Sequence, residues 1–248
     1  MKAPFIVARF ELTELFRSKL VVLTCLLFAC GAALGTTIFL AIIKNIEEQA
    51  LQLIAQQSQI PVDQVPMAEL KEQALDQLAE AMPVAEWGEA LLRYDPLALF
   101  FAFIALHSVA LIVIGFSAGA TSAQLQSGEA RFALTRISRA DWIKGKAFGQ
   151  SLVLALCLFF GMSGTLLTAY LRQYTINFEL IQAMFLAAAG VWLYGICWIG
   201  IFSAVSLLTR SPFRAKLLSL AALLTITSLY YYLSQQQEAG VNSFAAFL

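Results

Sequence analysis

LALFFAFIALHSVALIVIGFSAG, residues 97–119, runs without a charged side chain and holds the chain's one histidine, His107. About 20 apolar residues at 1.5 Å rise each cross the hydrocarbon layer of a bilayer, and this stretch is that long. In lipid a backbone has no water to bond, so an isolated span must close its own i to i−4 ladder and be helical. Four further stretches read the same way, 20–43, 148–171, 181–207 and 217–233. The alternation required of a membrane β-barrel is absent from all five. The expected fold is therefore an all-α polytopic helical membrane protein with five transmembrane helices. Composition agrees, with 60% hydrophobic residues, 13% charged and a mean hydropathy of +0.75, because a soluble surface of this length would need more charge than that.

The net charge is zero, so the informative quantity is where each sign sits. Lys2, Arg9, Arg17 and Lys19 precede the first span, and Arg131, Arg136, Arg139, Lys144 and Lys146 lie in the connection 120–147. Arg210, Arg214 and Lys216 follow the fourth span, in or beside the loop 208–216. These are twelve of the sixteen basic residues. A five-span count places all three segments on one side, and the positive-inside rule makes that side the cytoplasm. The N-terminus is then cytoplasmic, and residues 44–96, with ten acidic residues, are external. The expected location is the plasma membrane, crossed several times. Nothing in the pattern implies a nucleic-acid partner.

Within residues 1–19, Phe5, Ala8, Leu12, Leu15 and Phe16 recur on one helical stripe with Arg9, Thr13 and Arg17 elsewhere, the pattern of an interfacial helix. The first apolar run is too long for a signal-peptide core and is expected to stay as an anchor. In the external segment Leu70, Ala74, Leu75, Leu78, Ala81 and Met82 keep helical spacing up to Pro83, and Trp87, Leu91, Leu92 and Tyr94 follow. This reads as an external helical hairpin. The tail 234–248 is expected outside, and its apolar ending at Phe244–Leu248 admits a sixth span beyond the sequence. Cys25, Cys30, Cys157 and Cys197 all lie in apolar runs and read as small packing residues rather than a disulfide or metal framework.

The connection from Ser127 to Lys146 is SGEARFALTRISRADWIKGK. It resembles the loop between the second and third spans of type 2 ATP-binding cassette export permeases. In that family a Gly-Glu pair precedes a short amphipathic helix, a Ser-Arg turn and a Gly-Lys entry into the next span. Here those positions are Gly128, Glu129, Ser138, Arg139, Gly145 and Lys146, while Ile137 stands where the family often has Pro. The resemblance implies two permease subunits, this one with a second copy or a homologue, on two nucleotide-binding ATPase subunits. It also implies that this connection rests in a groove of the ATPase as a coupling loop. Gly128, Glu129, Arg131, Phe132, Arg136 and Arg139 are the expected ATPase contacts. Leu125, Phe132, Leu134 and Ile137 can supply an apolar patch inside a charged rim, the usual anatomy of a protein interface.

ATP hydrolysis is not expected of this chain. A phosphate loop needs G-x-x-x-x-G-K-[ST], and the nearest approach has Ala140 for the first glycine and Ala147 for the hydroxyl residue. ATP and magnesium belong to the partner subunits under this reading, and no catalytic, cofactor or metal residue is assigned here. His107 lacks an intramembrane acid partner and reads as a neutral side chain bonding across helices. Gly31 with Gly35, and Gly115 with Gly119, have the G-x-x-x-G spacing that lets helices pack closely. Two other readings compete with export: a secondary transporter, which would show broken spans and intramembrane ionisable residues, and a membrane scaffold or assembly subunit binding through the external hairpin.

Overall fold

The computed structural model describes residues 3–17, 19–58 and 95–245, and the side chains of 3–17, 19–46, 48–49 and 95–233. Its elements are helices α1 Ala3–Arg17, α2 Lys19–Ser58, α3 Pro96–Phe116, α4 Ala120–Ser127, α5 Glu129–Leu134, α6 Arg139–Leu171, α7 Phe178–Leu207 and α8 Pro212–Ala245. Among the described residues there is no strand. Five helical segments are long and apolar enough to cross a membrane: Lys19–Ile46, Pro96–Ser127, Arg139–Leu171, Phe178–Leu207 and Pro212–Leu233.

Helices outrun the apolar stretches that announce them. The first continues from 43 to Ser58, the third starts at Arg139 rather than 148, and the last runs on to Ala245. The physical reason is simple: hydropathy finds the part of a helix matched to hydrocarbon, whereas the hydrogen-bond ladder continues into polar surroundings until something caps it. The pattern from Leu70 to Tyr94 lies outside the described residues.

The packed residues fall into two units. One comprises Val22–Val109 and Leu154–Tyr194. Here α2 and α6 approach closely, because a side chain at Gly161 would collide with the Phe28 ring and one at Gly164 would sit 2.8 Å from the Ala29 carbonyl oxygen. On the neighbouring face Phe39 stacks on Phe100 of α3 at 4.2 Å, and a Cβ at Gly35 would lie 2.9 Å from Ile104. Gly31 faces open space. The start of α3 is fixed by Asp95, whose Oδ1 accepts from Leu97 N–H at 2.8 Å and from the Tyr174 hydroxyl at 3.0 Å. The end of α6 closes on Gln173, held at φ 59°, with Tyr174 N–H donating back to the Ala169 carbonyl at 3.0 Å.

His107 corrects an expectation. Its Nδ1 lies 2.8 Å from the Phe103 carbonyl oxygen of its own helix, its ring sits 4.1 Å from the Phe103 ring, and the side chain is exposed. The i−4 carbonyl is within easy reach of a histidine on a helix, so no neighbouring helix is needed to satisfy it. Cys25 and Cys157, by contrast, are buried free thiols with Sγ atoms 2.6 Å apart, one on α2 and one on α6, while Cys30 and Cys197 are exposed.

The other unit comprises Met1–Val21, Ala110–Val153 and Gly195–Leu248. It contains α1, α4, α5 and the basic ends of the spans, and its geometry is given below. In both units the outward side chains are large and apolar, among them Leu26, Leu27 and Leu34 on α2 and Leu224 and Leu229 on α8. Apolar exteriors of this kind are stable only in lipid or against another chain. The packing makes a direct prediction for this multi-pass membrane protein. Copper-phenanthroline oxidation should join Cys25 to Cys157 within one chain, detected by mass spectrometry after digestion, and should leave Cys30 and Cys197 unjoined. A bond from Cys25 to Cys30 or Cys197 would contradict the placement of α2 on α6.

Candidate functional site

The connection after α3 is almost entirely folded. Ser117 to Gly119 form a tight turn, α4 follows, and Gly128 at φ +81° breaks the chain between α4 and α5. That backbone conformation strains any residue with a Cβ, which is why a glycine separates two helices that would otherwise fuse. α5 ends at Leu134. Ser138 then caps α6: its Oγ accepts from Asp141 N–H at 3.1 Å and donates to Asp141 Oδ2 at 2.8 Å.

What holds this connection is a buried ion pair that the apolar pattern conceals. Lys146 Nζ, near the start of α6, donates to Glu11 Oε2 of α1 at 2.8 Å, with only 5% and 2% of the two side chains exposed. Two amides, Gln124 and Gln150, complete the shell of this pair and its neighbours through three hydrogen bonds. Lys146 also donates to Gln124 Oε1 of α4 at 3.0 Å, Gln124 Nε2 donates to Glu14 Oε2 at 2.9 Å, and Gln150 Nε2 donates to Glu11 Oε1 at 3.1 Å. The Lys146 ammonium further lies 5.4 Å from the centre of the Trp142 ring. Charges removed from water are tolerable only with such complete pairing.

Glycine makes the pair possible. A Cβ at Gly145 would lie 2.5 Å from Val7 Cβ and 2.7 Å from the Pro4 carbonyl oxygen, and one at Gly149 would lie 3.2 Å from the Ala8 carbonyl oxygen. The backbone of α1 therefore rests directly on α6, close enough for the short Glu11 side chain to reach Lys146. The face of α1 turned inward is Ala8, Glu11 and Leu15, whereas Phe5, Ile6, Phe10 and Phe16 are exposed. This corrects the expected apolar stripe, in which Phe5 and Phe16 were grouped with Ala8 and Leu15. The buried face is rotated toward Glu11 because the ion pair and the two glycines select it.

The expected contact residues are displayed rather than clustered on one another. Phe132 is 78% exposed, and Glu129, Arg131, Arg136 and Arg139 are exposed around it, with Gly128 half-buried at the break. Among the described residues, none of these three arginines has a carboxylate partner within ion-pair distance. Ala130 is buried and fixes α5 against the unit. Between α1 and α5 lies a cavity of about 470 Å³ whose walls include Ile6, Phe10, Phe132, Ile137 and Trp142. Of the remaining expected packing glycines, Gly119 lies against Pro212 and Lys216 of α8, and Gly115 lines a second cavity of about 400 Å³ bordered by α1, α4 and α8.

Among the described residues no cluster of His, Cys, Asp and Glu could hold a metal ion. The loop presents an exposed aromatic among cationic side chains on a base held by a buried ion pair. A family model described as "ABC-2 family transporter protein" matches residues 5–245. The chain belongs to that family. No curated protein and no solved structure matches it. As an ABC-2 permease it is the membrane-spanning subunit of a transporter, and the match covers α1, the loop helices and all five spans.

Of the expected contact residues Glu129, Arg131, Phe132, Arg136 and Arg139 are exposed, whereas the buried pair beneath them was not anticipated. Glu11 sits at i+3 from Ala8 and i−4 from Leu15, so a carboxylate lay on the inward stripe, and Lys146 opens the third apolar run directly after a glycine. Those two signals together could have found the pair. Gln124 and Gln150 carry no comparable mark. Removing one partner of such a pair should cost about 3–5 kcal/mol, because the other charge is left buried alone. Glu11→Ala is therefore expected to lower the unfolding midpoint in detergent sharply, and Glu11→Leu combined with Lys146→Met to recover most of the loss. Equal losses in the single and double variants would show that the pair is not the anchor.

Proposed function

We propose that this permease couples ATP hydrolysis by partner ATPase subunits to export of a substrate across the inner membrane, with force entering through residues 120–147. The observation that carries the reading is the loop itself, an exposed Phe132 within Glu129, Arg131, Arg136 and Arg139 on a base held by the Lys146–Glu11 pair. A mobile loop would absorb a partner's motion. A helix clamped to α1 and continuous with a span must pass it on.

The orientation supports the same reading. The basic segments before α2, in the loop and around Arg210 to Lys216 would face the cytoplasm, where nucleotide and magnesium are held by the ATPase subunits. On that side α1 would lie in the headgroup region, its Phe5, Ile6, Phe10 and Phe16 in contact with lipid and Arg9 and Arg17 near phosphates. The translocation path would form between this chain and a second copy or a homologue. A secondary transporter gains no support from His107, which is satisfied by its own helix.

Two measurements test the proposal. A cytoplasmic ATPase encoded with this permease should co-purify with it in mild detergent. Reversing charge at both Glu129 and Arg139 should then weaken that association and the permease-dependent part of hydrolysis by about tenfold or more, as expected when charges that complement a partner surface are set against like charges. Unchanged binding and hydrolysis in the reversed variant would remove the loop from the interface.

A further inference from the structure

Gly119 is the N-cap of helix α4 and has no side chain to cap it, and no side-chain cap hydrogen bond is made there. The first N–H groups of a helix need acceptors from outside it. Ser206 of α7 supplies one. Its Oγ accepts from Ser122 N–H, the third residue of α4, at 3.0 Å, and both residues are fully buried. The loop helix is thus capped by a hydroxyl from a membrane span far away in sequence. A second, looser tie runs alongside it: Gln150 Oε1, on the residue that bonds Glu11, accepts from Ser117 at 2.8 Å and lies 3.4 Å from the Ser203 hydroxyl of α7.

We propose that Ser206 is a positioning residue that makes α7 the span that follows the coupling loop. Resting on the reading of the loop as the point where force enters, it names the helix on which that force acts. A buried N–H that loses its acceptor is left unsatisfied, so α4 and the end of α7 move together at less cost than they separate. No such requirement exists for two apolar surfaces, which can slide. Beyond α6, which the Lys146–Gln124 bond already ties to α4, the polar tie therefore singles out α7.

Cys197, an exposed native thiol on α7, provides the reporter. In the complete complex with its ATPase, with Cys30→Ser to remove the other exposed thiol, a lipophilic fluorescent maleimide on Cys197 should change its emission when the ATPase is trapped with ADP and vanadate. Ser206→Ala should reduce that change about fivefold or more, the usual scale of coupling between sites, while ATPase binding and basal hydrolysis stay within about twofold. Ser206→Thr, which keeps the hydroxyl, should restore the response. A full response in Ser206→Ala, or a wild-type label that does not respond while the ATPase binds and hydrolyses, overturns the proposal. If no ATPase binds the wild-type permease, it is the coupling reading that fails. Should Ser206→Ala not assemble, hydrogen exchange of the wild-type complex decides: residues 120–127 and the end of α7 should change protection together on trapping, and a change confined to 120–127 would be contrary.

Discussion

A carboxylate and an ammonium buried against each other near the start of the third span set the geometry of everything around them. Glu11 and Lys146 could not be this far from water unless each bond were made. Each is, through Gln124 and Gln150. Ion pairs of this kind contribute little net stability compared with apolar residues of the same volume, but they penalise every alternative arrangement in which one member is exposed to the interior alone. What the pair supplies is registry: it fixes which face of α1 meets α6, and by way of Gln124 it fixes where α4 lies. The loop helix α5, only six residues long, inherits its position from that base through Gly128 and Ala130.

The glycines act with the pair rather than beside it. Gly145 and Gly149 let the backbone of α1 settle onto α6, and the resulting separation is what a glutamate can span. In the other unit Gly161 and Gly164 do the same for α2, where no charge is present and the contact is Phe28 and the Ala29 backbone. Two close approaches therefore occur on one helix by one device. Only the first is reinforced by charge, and it is the one next to the displayed arginines.

The fold was legible because lipid imposes it: runs such as 97–119 have few alternatives to a spanning helix, and the family match over residues 5–245 agrees with that reading. Helix ends were less legible, since hydropathy is silent about backbone ladders that continue beyond hydrocarbon, as at 43–58 and 139–147. Gly128 and Ser138 entered the reading only through the Gly-Glu and Ser-Arg pairs of the family, and their roles as a left-handed break and a cap come from the structure. The Glu11–Lys146 pair shows in the spacing only when a carboxylate is allowed on the inward stripe, against its outward default, and the glycines that admit a neighbouring backbone most closely fell at 145, 149 and 164, whereas of the expected set Gly35 meets the Ile104 side chain, Gly119 meets α8 and Gly31 faces open space. Close packing depends on what faces a glycine, and that information is in the partner helix.

The central claim is that α1, the loop and the start of α6 form one body that moves without deforming. Spin labels at Thr13→Cys and Thr135→Cys, both exposed on opposite members of that body, in a permease whose exposed native thiols are replaced, measure it directly by pulsed dipolar spectroscopy. The account predicts the same distance distribution in the nucleotide-free complex and in the complex trapped with vanadate. A distribution that shifts or splits on trapping would mean that the loop bends away from α1, and the rigid handle would be the wrong description.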